Sequence, residues 1–213
     1  MTGSKDAVIG VLLAGGRSRR MGGGDKCLLP LGGKPMIAHV IDRLRPQVKG
    51  LVLNANGDPA RFEKLALPVV ADPVEDFAGP LAGVLAGLDW ACAHHPQARW
   101  IVTAATDTPF FPSDMVVRLL KATGGKYPAI ALASSQGRLH PVFGLWPTAL
   151  AGDLRDALQA GTRKVLDWVD RHPRYEVEFG PVTVGGQDTD PFFNANDPQE
   201  FARAEALLTE TAT

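Results

Sequence analysis

A glycine-rich, cationic segment near the N-terminus is the part of the sequence best suited to bind phosphate. Between Leu13 and Lys26, directly after an apolar run, the chain holds five glycines and four cationic residues. Glycines let backbone N–H groups approach an anion closely, and arginine and lysine side chains offset the charge of a polyphosphate. The spacing matches neither the GxxxxGK[ST] loop nor the GxGxxG loop. We therefore predict a different phosphate loop; the alternative is a solvated basic surface loop.

A second candidate residue, Asp107, follows the apolar run from Trp100 to Ala104. A carboxylate at the end of a buried strand can face a cleft and hold Mg²⁺, which also takes water and phosphate oxygens as ligands. The alternative is a cap for the next helix, but that helix is expected to begin near Ser113, which is a better cap itself. The sequence therefore predicts Asp107 as a magnesium ligand.

Two more polar loops, Asn54–Asp58 and Ala71–Pro73, also follow short apolar runs. Asn and Asp are ordinary turn residues, so composition alone favours a structural role for both loops. Their location favours a functional role, because ligands of open parallel sheets bind beyond the carboxyl ends of the strands. Both roles stay open for Asn54 and Asp72.

The sequence before the last predicted helix has the pattern of a helix start. Asp197 is placed to cap the helix, Pro198 to occupy its first position and Glu200 to complete a capping box. These roles leave the two preceding amides, Asn194 and Asn196, free to face a site.

The elements that must position these residues follow from the alternation of short apolar runs with longer amphipathic ones. This alternation, which runs from Ala7 to Ala122, predicts βα units in an α/β fold with a mostly parallel sheet. After Tyr127 the pattern loosens, and we expect an antiparallel edge followed by helices over 148–159, 164–171 and 197–208. We expect one domain over residues 1–213, with a polar tail at 209–213.

Composition narrows the functional class. The chain has 22 Lys and Arg residues against 23 Asp and Glu residues, so no overall field would attract nucleic acid or an anionic membrane. Neither a membrane-spanning apolar run nor a signal peptide is recognisable, and we expect a cytoplasmic protein with no membrane or nucleic-acid partner. Cys27 and Cys92 lack the spacing of a redox pair or a thiolate zinc site.

Taken together, these segments resemble the molybdenum cofactor guanylyltransferases, and the resemblance covers essentially the whole chain. The most specific segment is LAGGRSRRMGGGDKCLLPLGGKPM (13–36), which matches the family pattern LAGGxxxRMGGxDKxLxxLxGKPL almost throughout. Further segments follow in family order: LVLNAN (51–56), VVADP (69–73), GPLAGVLAGL (79–88), TDTPF (106–110), RLHP (138–141), GTRKV (161–165) and FNANDPQEF (193–201).

The resemblance implies a fold, an activity and a cofactor. The fold would be a Rossmann-like three-layer α/β/α nucleotidyltransferase fold with a mostly parallel sheet. The activity would be transfer of GMP from GTP to molybdenum-bound molybdopterin with release of pyrophosphate, and the cofactor would be Mg²⁺.

The resemblance also implies roles for particular residues, with GTP bound by the N-terminal half and the pterin by the C-terminal half. Arg19 and Lys26 would face the phosphates, and Asp107 would bind Mg²⁺ with Asn196 as a further metal contact. The GTP-binding positions would be Leu13, Ala14, Gly15, Lys26, Asn54, Asp72 and Asp107. The pterin side would include Arg138, His140, Arg163, Lys164, Asn194 and Asn196. For His140, a structural role in a half-buried strand is an equally good interpretation.

Other functions stay open on the sequence alone. A cytidylyltransferase acting on the same cofactor resembles this family, but such enzymes tend to have LAAG where this chain has LAGG. A sugar-1-phosphate nucleotidyltransferase is more remote, because the chain is short. A non-catalytic nucleotide or cofactor carrier would not need both a metal aspartate and a phosphate loop. We also expect partner proteins that deliver the cofactor or receive it.

Overall fold

The computed structural model describes residues 7–14, 25–74 and 79–209. The strands are β1 (Val8–Leu13), β2 (Pro30–Leu31), β3 (Lys34–Pro35), β4 (Gly50–Asn54), β5 (Val69–Val70), β6 (Trp100–Ala105), β7 (Ile130–Ser135), β8 (Arg138–Pro147), β9 (Arg174–Glu178), β10 (Val182–Val184) and β11 (Gln187–Thr189). The α-helices are α1 (Met36–Leu44), α2 (Pro80–His94), α3 (Met115–Ala122), α4 (Ala151–Gln159), α5 (Val165–Val169) and α6 (Pro198–Thr209). A 3₁₀ helix spans Pro59–Leu65.

A central seven-stranded sheet has the order β5-β4-β1-β6-β8-β7-β9. β1 pairs in parallel with β4 and β6, β4 pairs in parallel with β5, and β7 pairs in parallel with β9. The predicted α/β fold with a mostly parallel sheet is confirmed. The antiparallel strand, β8, lies inside the sheet between β6 and β7 rather than at an edge. It follows β7 through a two-residue turn, Gln136 and Gly137, whose φ angles are both positive, and so must pair with β7 as a hairpin.

Two elements near the C-terminus do not follow from the apolar runs of the sequence. Strand β9, at the edge beside β7, has the sequence RYEVE, in which charged residues alternate with partly buried ones. In the small hairpin of β10 and β11, three of the six residues are exposed. Neither element has a continuous apolar run, so strand pairing determines where each one lies.

Helices cover both faces of the sheet and produce three layers. Along β1, Val8 and Leu12 pack into the cluster that contains α1 and α3. Ile9, Val11 and Leu13 pack into the cluster that contains α2, α4 and α5. This alternation follows from the twofold period of a strand, and it leaves the ends of the strands as the place where polar side chains can gather.

The last helix, α6, packs against the hairpin of β2 and β3 rather than against the sheet faces. Leu207 of α6 lies in an apolar cluster with Leu31 and Phe110. The Gly32 N–H also donates to both carboxylate oxygens of Glu205, at 3.2 Å each. The docking of α6 therefore brings the segment that precedes it to the carboxyl end of β6.

Candidate nucleotide and metal site

Lys26, Asp107 and Asn196 come together at the carboxyl edge of the sheet. The Lys26 Nζ lies 3.1 Å from Asp107 Oδ2 and 2.9 Å from Asn196 Oδ1. The side chains of Lys26 and Asp107 are only 14% and 26% exposed, so water screens the ion pair incompletely. A carboxylate oxygen and an amide oxygen thus converge on one cationic group.

The loop after β6 and the segment before α6 hold these side chains against each other. The Asp107 carbonyl accepts a hydrogen bond from the Ala195 N–H at 3.0 Å. The Thr108 hydroxyl donates to the Asn194 side-chain oxygen. Asn194 therefore contacts the loop after β6 directly, and Thr108 is a residue of this region that the sequence did not single out.

The capping box predicted before α6 is confirmed. Asp197 Oδ1 accepts from the Glu200 N–H at 2.8 Å, and Glu200 Oε2 accepts in return from the Asp197 N–H at 3.2 Å and from the Asn196 N–H at 2.7 Å. Pro198 is the first residue of the helix. Because its backbone is held by the cap, Asn196 presents its side chain to Lys26 from a fixed position.

A second cluster joins the ends of β4 and β5. Asn54 Nδ2 donates to Asp72 Oδ1 at 2.9 Å. Asn56 binds Asp72 twice, through its Nδ2 to Oδ2 at 2.7 Å and through its Oδ1 from the Asp72 N–H at 2.8 Å. Both oxygens of the carboxylate therefore have a defined partner and the group has a defined orientation. Asn56 was not among the predicted site residues, although it lies in the same polar loop as Asn54.

Gly83 of α2 allows Asn54 to lie close to the helix. An added Cβ at this position would lie 2.4 Å from Asn54 Oδ1 and 2.8 Å from Leu13 Cδ2. Asn54 is 4% exposed and bonded to Asp72, so it cannot move aside without losing that bond. The close approach explains why a glycine stands here in the middle of a helix.

The C-terminal end of the predicted phosphate loop, at Asp25, is linked through Arg61 to this second cluster. Arg61 Nε lies 3.2 Å from Asp25 Oδ2, and another guanidinium nitrogen of Arg61 donates to the carbonyl of Asn56. Asp25 directly precedes Lys26, so Arg61 connects the residues beside Lys26 with those that hold Asp72. Neither Asp25 nor Arg61 was predicted, because nothing in the sequence pairs them.

The surroundings of Cys27, next to Lys26, disfavour its nucleophilic form at neutral pH. Burial, and then the neighbouring Asp25 carboxylate, raise the pKa of its thiol to about 11. The thiolate is the reactive form of cysteine, and this environment suppresses it.

Leu13 and Ala14, two further predicted GTP-binding residues, lie where β1 ends. The Ala14 N–H donates to the Asn54 carbonyl at 2.9 Å, and the Leu13 carbonyl accepts from the Thr106 N–H at 3.3 Å. The carboxyl ends of β1, β4 and β6 therefore meet as expected. Gly15 and Arg19 lie outside the described residues.

The predicted pterin-side residues are spread along the same edge. His140 of β8 is half-buried and bonds Ser135 at the end of β7, whereas Arg138 is exposed at the hairpin turn. Arg163 donates to the carbonyls of Leu158 and Thr162. The Arg163 carbonyl lies near Gly79, just before α2, at 3.7 Å from the position that a Cβ on Gly79 would take. Lys164 directly precedes α5. Among the described residues, no hydrogen bond joins Arg138 or Lys164 to the cluster of Lys26, Asp107 and Asn196 (the Lys26 cluster).

The described residues contain neither a cluster of metal-binding side chains nor a membrane-spanning helix. No group of three or more His, Cys, Asp or Glu side chains in 7–14, 25–74 and 79–209 gathers as a metal site. Over the same residues, none of the helices combines the length and the apolar character needed to cross a membrane.

Comparison with known proteins assigns this chain to a family. Residues 10–175 match the model of the MobA-like NTP transferase domain. A molybdenum cofactor guanylyltransferase of Rhodopseudomonas palustris (strain BisB5) is 56% identical over 198 residues, which is 92% of this chain and 92% of that protein. The chain belongs to the molybdenum cofactor guanylyltransferase family. The predicted resemblance and the prediction of a nucleotidyltransferase are therefore confirmed.

Solved structures agree with the fold. The molybdopterin-guanine dinucleotide biosynthesis protein A of Archaeoglobus fulgidus is 25% identical, with a TM-score of 0.70 over 95% of this chain and 99% of that one. Rv0371c of Mycobacterium tuberculosis H37Rv, solved in complex with manganese, is 21% identical, with a TM-score of 0.64 over 94% of this chain and 98% of that one. The family fold is thus the three-layer nucleotidyltransferase fold described above.

Proposed function

We propose that this protein transfers GMP from GTP to molybdenum-bound molybdopterin and releases pyrophosphate, with Lys26 and Asp107 at the reacting phosphates. The observation that carries the residue assignment is the convergence of Asp107 and Asn196 on Lys26. In this reaction a phosphate oxygen of the acceptor bonds to the α-phosphorus of GTP, and the bond from that phosphorus to the bridging oxygen breaks. The acceptor phosphate is already anionic near neutral pH, so the site needs charge stabilisation more than a general base.

The donor set around Lys26 fits a divalent cation. Hard cations such as Mg²⁺ take carboxylate, amide and phosphate oxygens, and they commonly use only one or two protein carboxylates. Asp107 Oδ2 and Asn196 Oδ1 already share one cationic group, the Lys26 ammonium, within hydrogen-bond distance. Asp107 and Asn196 would hold the ion, which would offset negative charge on the phosphates. The manganese complex of the Rv0371c structure supports a divalent ion in this fold.

Lys26 would exchange partners when the substrates bind. Its ammonium, now on Asp107 and Asn196, is a point charge on a flexible stem and would turn to the triphosphate. Arg19 and Gly15 would contribute from the phosphate loop. Once Lys26 has left Asp107, the phosphates would lie between the Lys26 ammonium and the divalent ion held by Asp107.

The Asp72 cluster would recognise the base. Guanine presents an N1–H and a 2-amino group side by side, and a carboxylate can accept from both. The Asp72 oxygens each have a partner from Asn54 or Asn56, but an ionised carboxylate has about four acceptor sites, so capacity for the base remains. Asn56 would set the plane of the carboxylate, which is the reason for its two bonds to Asp72. Leu13 and Ala14, beside Asn54, would line the nucleoside.

The C-terminal half would bind the acceptor. Arg138, His140, Arg163 and Lys164 would contact the pterin and its phosphate, together with Asn194. Proteins that deliver the cofactor or receive it are further expected partners.

Nucleotide competition tests the assignment. Purified protein with molybdenum-bound molybdopterin and Mg²⁺ is incubated with GTP, ATP or CTP, and pyrophosphate release and the mass of the product are measured. We expect turnover with GTP, and turnover lower by at least about a hundredfold with the other two, because their bases would not fill the acceptor sites that remain on Asp72. Equal turnover with CTP would identify a cytidylyltransferase instead. Replacing Mg²⁺ with Mn²⁺, and omitting both ions, tests the metal.

A further inference from the structure

Ser135, His140 and Asp190 form a hydrogen-bonded chain beside the proposed acceptor site. Ser135 Oγ lies 2.7 Å from His140 Nε2 and 2.8 Å from Asp190 Oδ1. Ser135 is the last residue of β7 and is 1% exposed, so its hydroxyl is closed off from water. Asp190 and Ser135 were not singled out by the sequence.

The donor and acceptor capacities of these groups determine the direction of each bond. An ionised carboxylate only accepts, so the single hydroxyl hydrogen of Ser135 is donated to Asp190. The bond between Ser135 and His140 must then be donated by the histidine, from a hydrogen on Nε2. In a neutral imidazole the other nitrogen, Nδ1, carries a lone pair. Among the described residues, none forms a hydrogen bond with Nδ1.

This order of bonds differs from that of a nucleophilic triad. In a triad the serine donates to the histidine, which acts as its base, and the carboxylate bonds the histidine. Here the serine stands between the other two residues, and its hydrogen is already held by the carboxylate. The chain therefore orients the histidine and does not activate the serine.

The chain also reaches the phosphate end of the site through one short segment. Asp190 Oδ1 accepts from the Phe192 N–H at 3.0 Å, and the Phe192 ring lies against the His140 ring with centroids 4.5 Å apart. The same segment continues to Asn194, which bonds Thr108, and to Asn196, which bonds Lys26. The segment from Asp190 to Asn196 thus connects His140 with the residues proposed to act on the phosphates.

We propose that Ser135 and Asp190 are positioning residues that keep His140 with its hydrogen on Nε2, so that Nδ1 accepts a hydrogen bond from an N–H of the acceptor's pterin ring. This inference rests on the proposed function and deepens it, because it assigns His140 to the neutral ring of the acceptor rather than to its phosphate. A lone pair repels a phosphate but pairs with the amide-like N–H groups of a pterin.

The surroundings of His140 favour the neutral ring. Partial burial lowers its pKa below the ordinary value of 6.5, and Arg138 on the same strand lowers it further. Asp190, from the segment after β11, and Glu178, at the end of β9, act in the opposite direction without reversing the shift. Nδ1 therefore stays an acceptor at neutral pH and becomes a donor only in acid.

Nitrogen NMR of the ligand-free protein tests the tautomer directly. The ¹⁵N shifts and ring couplings of the histidines are recorded from pH 5 to pH 8, and the His140→Gln variant identifies the His140 signals. We expect a neutral ring with hydrogen on Nε2 and an unprotonated Nδ1 at pH 7. A neutral ring with hydrogen on Nδ1 would overturn the inference even if the protein transfers GMP normally.

Kinetics tests whether the acceptor uses Nδ1. Ser135→Ala should raise the KM of molybdenum-bound molybdopterin about two- to tenfold, the worth of one neutral hydrogen bond, and leave the KM of GTP unchanged. His140→Asn keeps an acceptor near the position of Nδ1, whereas His140→Gln places its amide near the position of Nε2. We therefore expect the acceptor KM to rise less in His140→Asn than in His140→Gln. In the wild type it should also rise as the pH falls through the His140 titration.

Two results separate the inference from the proposed function. If the wild type makes no GMP adduct with any acceptor preparation, the proposed function fails. If it does, but the three variants change only the melting temperature and not the acceptor KM, His140 has a structural role and the inference is overturned.

Discussion

Replacing Asp107 with asparagine separates the charge of this side chain from its shape. The amide has nearly the same size, but it loses the charge that would hold a divalent ion beside the phosphates. If that ion offsets charge in the transition state, kcat should fall at least about a hundredfold, which corresponds to roughly 2.7 kcal/mol.

The structure also limits the expected cost in stability. The charge of Asp107 pairs with Lys26 at 3.1 Å, and the two side chains are 26% and 14% exposed. Partly exposed pairs contribute about 0 to 1 kcal/mol, and the oxygen of an asparagine could still accept from the lysine. The melting temperature without ligand should therefore fall by less than about 4 °C in a protein of this size.

Pyrophosphate release at saturating GTP, over a range of Mg²⁺ concentrations, measures the first effect, and calorimetry measures the second. Asp114→Asn is the matched control, because Asp114 is exposed and its side chain makes no capping bond to α3. That variant should keep wild-type activity. An Asp107→Asn protein that turns over GTP at a near wild-type rate would refute the metal role and leave Asp107 as a structural partner of Lys26.

Three further predictions concern the nucleotide site and the pH dependence of stability. Lys26→Ala should weaken GTP binding roughly ten- to a hundredfold in calorimetry, the worth of one charge-assisted contact, and unchanged affinity would remove Lys26 from the site. Gly83→Ala should displace Asn54 and weaken GTP binding, whereas Gly152→Ala, a helical glycine with open space around it, should leave binding intact and stabilise the protein by up to about 1 kcal/mol. Burial lowers the pKa of His39 in the folded protein below 6.5, so this histidine binds a proton more readily in the unfolded chain. The contribution of neutral His39 to the free energy of unfolding is therefore full above pH 6.5 and is lost as the pH falls towards the folded pKa. Denaturant unfolding from pH 7 to pH 5.5 should therefore show a smaller loss in His39→Gln than in the wild type, and equal losses would count against this cause.

Much of the fold of this protein can be predicted from local features of its sequence. The alternation of apolar runs predicts the βα units, because a strand or helix must bury its apolar side wherever it packs. The capping box at Asp197 and Glu200 is equally local, since its bonds join residues three or four positions apart. The carboxyl ends of parallel strands share one edge, so the meeting of the loops after β1, β4 and β6 could be expected as well.

Contacts between distant segments were decided only by the tertiary structure. The sequence shows Asp107 without a partner, whereas the fold pairs it with Lys26 and brings Asn196 to the same ammonium because α6 docks on the β2–β3 hairpin. Strand β9 and the interior position of β8 depend on pairing, which no local run encodes.

Asn56 and Ser135 show the same limit at the level of single side chains. Ser135 ends β7 and Asn56 lies two residues after β4, and composition favours a turn for both. Only the fold shows that Asn56 binds Asp72 twice and that Ser135 joins His140 to Asp190. A hydrogen bond depends on distance and direction in space, and for residues far apart in the chain these are set by the packing of the whole sheet.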